Sequence, residues 1–258
     1  MAWKGSEMSD LIFDARDGIG FVTFNRPAQR NALTFAMYED LAKICDDPGE
    51  LRALVISGAG GAFAAGTDMS QFRAFDKPED ALNYEHTMDA VMTRIERCRV
   101  PTIAAINGAC TGGGAAIAAC CDLRISDERL KFGFPIARTL GNCLSIASLA
   151  RLSALIGQAK VREIIFTSRL VGSDEALAAG LVMEVVEDPL ARATELAGQI
   201  AEYAPLTLRV TKEGLRRLRA DGAGADDHDL IETAYMSADF KEGMEAFLGK
   251  RKPEFKGK

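Results

Sequence analysis

Residues 101–114 read PTIAAINGACTGGG, a short apolar run that leads into Asn-Gly and then a glycine triplet. An apolar run of this length predicts a strand, and the small residues from 115 to 121 after the triplet predict a helix. Residues 64–68, AAGTD, form a second loop of the same kind, after an apolar strand and before a helix. Such junctions collect free backbone N–H groups and the positive end of a helix dipole, and both favour a developing negative charge.

The two glycine-rich loops can be interpreted in two ways. Because glycine has no Cβ, a ligand can approach the main chain closely, and two N–H groups directed at one carbonyl oxygen would form an oxyanion hole. Alternatively, the glycines only permit tight turns and close helix packing. Neither loop completes the pattern G-x-G-x-x-G, so a dinucleotide-binding fold is not expected.

The first two-thirds of the chain alternates β-rich runs with helical patterns. Thr34 can cap a helix, and residues 79–97 are amphipathic. The apolar face of the latter helix is predicted to carry Met88, Val91, Met92 and Ile95. Further strands are expected at residues 20–25, 51–57, 123–125 and 130–132.

The last third of the chain is predicted to be helical. The pattern turns helical after Pro135 and is nearly all helical from Pro189 onward. We therefore place a soft boundary near residue 190, between a core region, residues 1–190, and a helical region, residues 191–258.

Composition excludes several classes of protein. The net charge of −6 argues against nucleic-acid binding, which needs clustered Lys and Arg. No apolar run reaches the roughly 18 residues of a membrane span, and residues 1–10 do not resemble a secretory signal. Six cysteines without a CxxC pair, and only two histidines, favour reduced thiols, no metal site and a cytoplasmic location.

Seven blocks of the sequence, in order and spacing, resemble the crotonase (enoyl-CoA hydratase/isomerase) superfamily. The resemblance spans residues 12 to 255. The blocks are FNRPAQRNAL at 24–33, AFAAGTDM at 62–69, PTIAAING at 101–108, TGGG at 111–114, CDLR at 121–124, FGFP at 132–135 and EGMEAFLGKRKP at 242–253.

The resemblance implies an α/β spiral of ββα units, followed by a helical C-terminal region that mediates trimers, often paired into hexamers. It also implies a coenzyme A thioester as substrate and no permanently bound cofactor. By position, the oxyanion donors would be the backbone N–H groups of Thr67 and Gly113, with Ala65 and Met69 beside the adenine. The other positions assigned to the CoA-thioester site are Arg26, Ala28, Gly66, Asp68, Gly112, Pro135, Ile136 and Lys250.

Some of these positions depart from the family's pattern. Members often carry a lysine where this chain has Ser70, and another where it has Ala28, so we expect Arg26 or Arg30 to compensate. Asp68 is expected to cap the turn that follows it. The basic tail at 250–252 resembles a segment that reaches the CoA phosphate of a neighbouring subunit, although a lone KRK is usually a solvated terminus.

The two glutamates with which hydratases of this family hold a water are absent. The first belongs two residues after the glycine triplet, where this chain has Ala116, and the second belongs at Ile136. Neither side chain can accept a proton. The sequence therefore places simple hydration in doubt, and double-bond isomerisation with it.

Other polar groups could replace the missing glutamates. Asn142, Cys143 and Ser145 follow the FGFP turn, and a Cys143 thiolate at a helix N-terminus would be a nucleophile. The alternatives are that Asn142 caps a helix and that Cys143, like the other five cysteines, is a small buried side chain. Glu85 and His86 lie at the edge of the amphipathic helix, where the resemblance implies an auxiliary acid or histidine in several family members, and a histidine could act as a base near neutral pH. A solvated helix flank is the favoured interpretation of this pair.

The sequence thus predicts an acyl-CoA enzyme of lyase or isomerase type, which stabilises a thioester enolate and acts in pathways such as fatty acid metabolism. Its reaction could instead be decarboxylation, dehalogenation, thioester hydrolysis or carbon–carbon cleavage. The alternative from another class is a catalytically inactive CoA-thioester binding protein.

Overall fold

The computed structural model describes residues 9–73 and 75–258. The segment that was compared with a secretory signal lies mostly outside this range. The strands are β1 Leu11–Arg16, β2 Ile19–Phe24, β3 Ala53–Gly58, β4 Ala62–Ala65, β5 Thr102–Ile106, β6 Ala109–Thr111, β7 Leu123–Ser126, β8 Lys131–Gly133 and β9 Glu184–Val185. The helices are α1 Phe35–Asp46, α2 Pro78–Glu96, α3 Gly113–Cys120, α4 Ile136–Thr139, α5 Ile146–Phe166, α6 Ser173–Ala178, α7 Pro189–Ala201, α8 Pro205–Asp221, α9 His228–Tyr235 and α10 Ala238–Leu248.

The strands between residues 11 and 185 form two sheets. The larger has six strands in the order β1-β2-β3-β5-β7-β9, and the smaller has three in the order β4-β6-β8. Among the strand pairs of the described residues, only β1–β2 is antiparallel. Strand pairs β3–β4, β5–β6 and β7–β8 each place one strand in each sheet and are followed by a helix. The predicted α/β spiral of ββα units is therefore confirmed.

The central strands of the large sheet are buried on both faces. On β3, Leu54 and Ile56 belong to the larger core with α1, α2 and α3, whereas Ala53 and Val55 belong to a second core with α7. This double burial explains why β3 and β5 are continuous apolar runs rather than alternating ones.

The helices follow the sequence closely. Thr34 caps α1, its Oγ1 accepting a hydrogen bond from the N–H of Met37 at 3.2 Å, and the buried residues of α2 are the four predicted for its apolar face. From Pro189 the chain is helical, as predicted. The boundary near residue 190 stays a prediction, although α7 packs its Ala193 and Ala197 on the large sheet.

Several features differ from the sequence prediction. The edge strands β1 and β9 and the short strand β6 were not predicted. The loop at 64–68 opens only a 3₁₀ turn, Met69–Phe72, because α2 begins later, with a proline at its first position. A break at Gly157, with φ of +75°, interrupts α5. Within the described residues, no helix is both long and apolar enough to cross a membrane.

Candidate active site

The two glycine-rich loops lie side by side. Strands β4 and β6 pair in parallel, with Ala65 opposite Thr111, so their carboxyl ends deliver both loops to one edge of the small sheet. Gly66 and Gly112 both have positive φ, +102° and +53°. A Cβ added at Gly112 would lie 3.4 Å from the Cα of Gly66, so the two main chains are in van der Waals contact.

A backbone N–H in each loop has no hydrogen-bond partner among the described residues. In the parallel bridge between Leu33 and Thr67, the bonds are made by the carbonyl of Gly66 and the N–H of Asp68, at 2.9 and 2.8 Å. The N–H of Thr67 therefore points away from Leu33. Gly113 is the first residue of α3, where an N–H has no acceptor inside the helix. Neither N–H finds an acceptor among the described residues.

A tyrosine supports both loops from α1. The hydroxyl of the buried Tyr38 lies 2.8 Å from Oγ1 of Thr67. Burial raises the pKa of Tyr38 far above its usual value, so the phenol stays neutral and available for this hydrogen bond.

The loops open into a cavity of about 330 Å³. Ten of the predicted site residues line it: Ala65, Gly66, Thr67, Met69, Gly112, Gly113, Pro135, Ile136, Asn142 and Cys143. The cavity is also lined by residues that were not predicted from the sequence to belong to the site: Tyr38, Phe72, Tyr84, Met88, Asp89, Met92, Thr111, Phe134, Thr139, Leu140, Leu144 and Ser148.

Arg26 and Asp68 do not line the cavity, and they form an ion pair with each other. The guanidinium donates to a carboxylate oxygen of Asp68 at 3.0 Å and to the carbonyl of Ala32 at 2.5 Å. Asp68 also accepts from the N–H of Ser70, so its predicted capping role is confirmed. Hydrogen bonds from Ser70, and then from Arg26, hold the pKa of Asp68 below its usual value. The guanidinium of Arg26 is thus engaged within the protein, and Arg30 is the more exposed of the two arginines.

Ala28 and Lys250 also lie outside the cavity wall. Ala28 is exposed in the 3₁₀ turn Pro27–Gln29, and Lys250 is exposed just after α10. In the basic tail, Arg251 pairs with Glu242 at 2.6 Å and Lys252 with Glu202 at 2.8 Å. Contact of this tail with a CoA phosphate stays a prediction that involves a neighbouring subunit.

The positions of the two missing glutamates do face the cavity. Ala116 lies on the first turns of α3 and Ile136 opens α4, and both side chains contribute to the cavity wall. That part of the wall therefore offers no proton acceptor.

Two carboxylates enter the cavity from α2 instead. Glu85 and Asp89, one helical turn apart, lie on the cavity side of α2 together with Tyr84, Met88 and Met92. The interpretation of Glu85 as a solvated flank is therefore wrong, because it is half-buried in the cavity wall, whereas His86 is exposed and does not line it. Burial, and then the charge of Asp89, raises the pKa of Glu85. Glu85 and Asp89 are four residues apart, and Met88 between them belongs to the predicted apolar face. This spacing could have predicted from the sequence that the two carboxylates lie together on the inner side of the helix.

Asp89 is held by the loop that precedes α5. Ser145 donates from Oγ to Asp89 Oδ1 at 2.6 Å, and Nη1 of Arg151 lies 3.9 Å from the same oxygen. The Ser145 hydroxyl also accepts from the N–H of Ser148 and caps α5. The interpretation of Asn142 as a helix cap is therefore wrong, because α5 begins at Ile146 with Ser145 as its cap.

The cysteines divide into two groups. Cys143 is exposed at the cavity, so its interpretation as a buried side chain is wrong, because the loop before α5 lies at the surface. The other five are buried as predicted: Cys45, Cys98, Cys110, Cys120 and Cys121.

Comparison with known proteins gives consistent matches along the whole chain. The sequence model of the family described as "Enoyl-CoA hydratase/isomerase" matches residues 14–258. The chain is 32% identical over 257 residues to the short-chain-enoyl-CoA hydratase of Clostridium acetobutylicum, covering 96% of this chain and 98% of that protein. It is also 32% identical to the 2,3-dehydroadipyl-CoA hydratase of Escherichia coli, covering 97% and 100%. The crystal structure of an enoyl-CoA hydratase/carnithine racemase from Magnetospirillum magneticum matches with a TM-score of 0.88 and 35% identity, covering 98% and 97%.

Proposed function

Since the chain belongs to the enoyl-CoA hydratase/isomerase family, we propose that its cavity binds an acyl-CoA thioester and stabilises the enolate of that thioester. The thioester oxygen accepts hydrogen bonds from the N–H groups of Thr67 and Gly113. As a proton leaves the carbon next to the thioester, negative charge collects on this oxygen, and the two donors stabilise it more strongly than they stabilise the neutral carbonyl.

Two observations support this proposal: the N–H groups of Thr67 and Gly113 have no acceptor among the described residues, and both residues line the same cavity. The two N–H groups belong to different loops, one positioned by the Leu33 bridge and the other by the start of α3. Donors that are already oriented need no rearrangement when the charge develops. Loss of one such donor typically costs about 3–4 kcal/mol of transition-state stabilisation.

Hydration is not the reaction that the side chains lining this cavity support best. A hydratase must take a proton from water and give one to carbon, and Ala116 and Ile136 can do neither. We therefore place the enzyme in the lyase or isomerase class with a reaction other than water addition. A CoA-thioester binding protein without turnover is the competing function, and the same two residues favour it.

The adenine and the phosphates of the coenzyme A ligand are assigned to regions of the site. We place the adenine beside Ala65 and Met69, and the phosphates near Arg30, whose carbonyl accepts from the N–H of Ala65 at 3.0 Å. Self-association into trimers or hexamers would bring Lys250 of one subunit to the ligand of another. Several apolar side chains of the C-terminal helices are exposed and support such self-association: Ile231, Tyr235, Met236, Phe240, Met244, Phe247 and Leu248.

Exchange of the C2 protons of butyryl-CoA in D₂O, followed by NMR, tests the proposal because it requires only that a base removes a C2 proton and that the site stabilises the enolate until solvent deuterium returns to C2. We expect exchange with the wild type and its loss in Gly113→Ala. Gly61→Ala is the matched control, since a Cβ there meets no atom within 4 Å. Binding of butyryl-CoA without exchange by the wild type would instead establish the binding protein.

A further inference from the structure

The two carboxylates of the cavity differ in their partners. Asp89 accepts a hydrogen bond from Ser145 and lies beside the Arg151 guanidinium. Glu85 has no such support: in residues 9–73 and 75–258, no basic side chain forms an ion pair with it and no hydrogen bond to it is found. Partial burial of a carboxylate without a neighbouring cation costs free energy of folding. Groups that are perturbed in this way cluster at functional sites.

We propose that Glu85 is the acid–base residue of this site and carries a proton from C2 to C4 of an uncharged β,γ-unsaturated acyl thioester. This inference rests on the proposed function, because the enolate that Glu85 creates is the one that the Thr67 and Gly113 N–H groups stabilise. The product is the α,β-unsaturated thioester.

The surroundings of Glu85 suit a base. The charged groups and titratable side chains around it are Tyr84 and Asp89 on α2, Tyr38 on α1, Cys143 in the loop before α5, and Arg151 behind Asp89 on α5. Burial and the negative charge of Asp89 both favour the protonated form of Glu85 and so raise its pKa. A carboxylate shifted toward neutrality accepts and returns protons more effectively at physiological pH.

Asp89 acts as a positioning residue. Its carboxylate accepts a hydrogen bond from Ser145 and lies 3.9 Å from the Arg151 guanidinium, which leaves Glu85, without such a partner among the described residues, as the carboxylate to move a proton. Water addition in this family uses two acidic side chains on one water, whereas a proton shift within one substrate needs a single group that first takes the proton and then returns it. The arrangement therefore favours isomerisation over hydration.

The chemical step balances without any co-reactant. The C2–H bond breaks, the proton goes to a carboxylate oxygen of Glu85, and the electron pair forms a dienolate whose oxygen lies at Thr67 and Gly113. The carbonyl then re-forms, a double bond forms between C2 and C3, and the pair of the former C3–C4 double bond takes the proton from Glu85 at C4. Neither water nor an oxidant is consumed.

The direct test is the isomerisation of 3-butenoyl-CoA to crotonyl-CoA, followed by the rise of conjugated enoyl-thioester absorbance. We expect Glu85→Gln to lower kcat by about 10²- to 10⁴-fold while the dissociation constant of butyryl-CoA stays unchanged. Glu85→Asp should restore part of the rate, and Glu79→Gln, an exposed glutamate on the same helix, should behave as the wild type. Substrate deuterated at C2 should deliver some deuterium to C4 in ordinary water.

The pH dependence of the rate distinguishes an effect of Asp89 on the pKa of Glu85 from a purely structural role of Asp89. Glu85 must be ionised to accept the C2 proton, so the rate falls as the pH drops through its raised pKa. Asp89→Asn removes the neighbouring negative charge, lowers the pKa of Glu85 and moves this acidic limb to lower pH. If the acidic limb of the pH profile of Asp89→Asn stays where it is in the wild type, the proposed pairing of Asp89 with Glu85 is wrong.

The outcomes distinguish the two proposals. A wild type that binds thioesters but neither exchanges C2 protons nor isomerises 3-butenoyl-CoA defeats the proposed function. A wild type that does both, with loss in Gly113→Ala but full activity in Glu85→Gln, leaves the proposed function intact and overturns the assignment of Glu85.

Discussion

The hydroxyl of Tyr38 lies 2.8 Å from Oγ1 of Thr67 and only 1.7 Å from the place that a Cβ on Gly113 would occupy. One side chain from α1 therefore touches both residues whose N–H groups we assign to the enolate oxygen. The position of the two donors depends on a phenol that donates no hydrogen bond to the substrate in our account.

Removal of this hydroxyl should weaken catalysis without abolishing it. Tyr38→Phe loses one buried hydrogen bond, a contribution of about 1 kcal/mol, so we expect kcat to fall by about fivefold. Thr67→Val removes the same bond and keeps the backbone N–H. The double variant should be no worse than either single one, as a double-mutant cycle on kcat would show; additive losses would contradict the shared bond.

A side chain at residue 113 should be far more damaging. The added methyl group of Gly113→Ala displaces the Tyr38 hydroxyl or the loop itself, and we expect kcat/KM to fall by about 10²- to 10³-fold, as for loss of an oxyanion donor. Adding Tyr38→Phe should recover part of the loss, because the Tyr38 ring carbon Cζ lies at a more tolerable 3.0 Å. Thermal unfolding of each variant checks that the loss is not one of folding.

Local patterns were sufficient to predict the scaffold but only half of the site. The helix cap at Thr34, the apolar face of α2 and both glycine loops depend on neighbouring residues, so the sequence alone predicts them. The cavity role of Glu85 depends instead on the loop before α5, which reaches α2 through the bond from Ser145 to Asp89, two residues 56 positions apart. No local period encodes that contact, and the interpretations of Asn142 as a helix cap and of Cys143 as a buried side chain failed for the same reason.

Restoring acids at the two apolar positions should create hydratase activity. Ala116 and Ile136 both line the cavity, so Ala116→Glu with Ile136→Glu would present two proton-transfer groups to a bound water. We expect crotonyl-CoA hydration to rise at least about tenfold over the wild type, well below the full contribution of such groups, with little change in either single variant. The matched pair Ala116→Gln with Ile136→Gln should show no gain; a gain there would rule out proton transfer as its cause.

The charge of the acyl group should matter strongly. Two carboxylates and no Arg, Lys or His line the cavity within the described part of the chain. Like charges at short range repel, so we expect a thioester with a terminal carboxylate, such as 2,3-dehydroadipyl-CoA, to have a dissociation constant about tenfold or more above that of hexenoyl-CoA. Glu85→Gln should narrow this gap in binding measurements, and equal affinities in the wild type would contradict the prediction.

The most direct test compares two reactions on one sample of the wild-type enzyme: isomerisation of 3-butenoyl-CoA and hydration of crotonyl-CoA, each followed by conjugated enoyl-thioester absorbance. A cavity with one free carboxylate and apolar residues at 116 and 136 should isomerise at least about 100-fold faster than it hydrates, since a missing acid–base group costs about that much or more. Hydration at an ordinary enzymatic rate, faster than isomerisation, would contradict the account and require that Glu85 and Asp89 activate a water together.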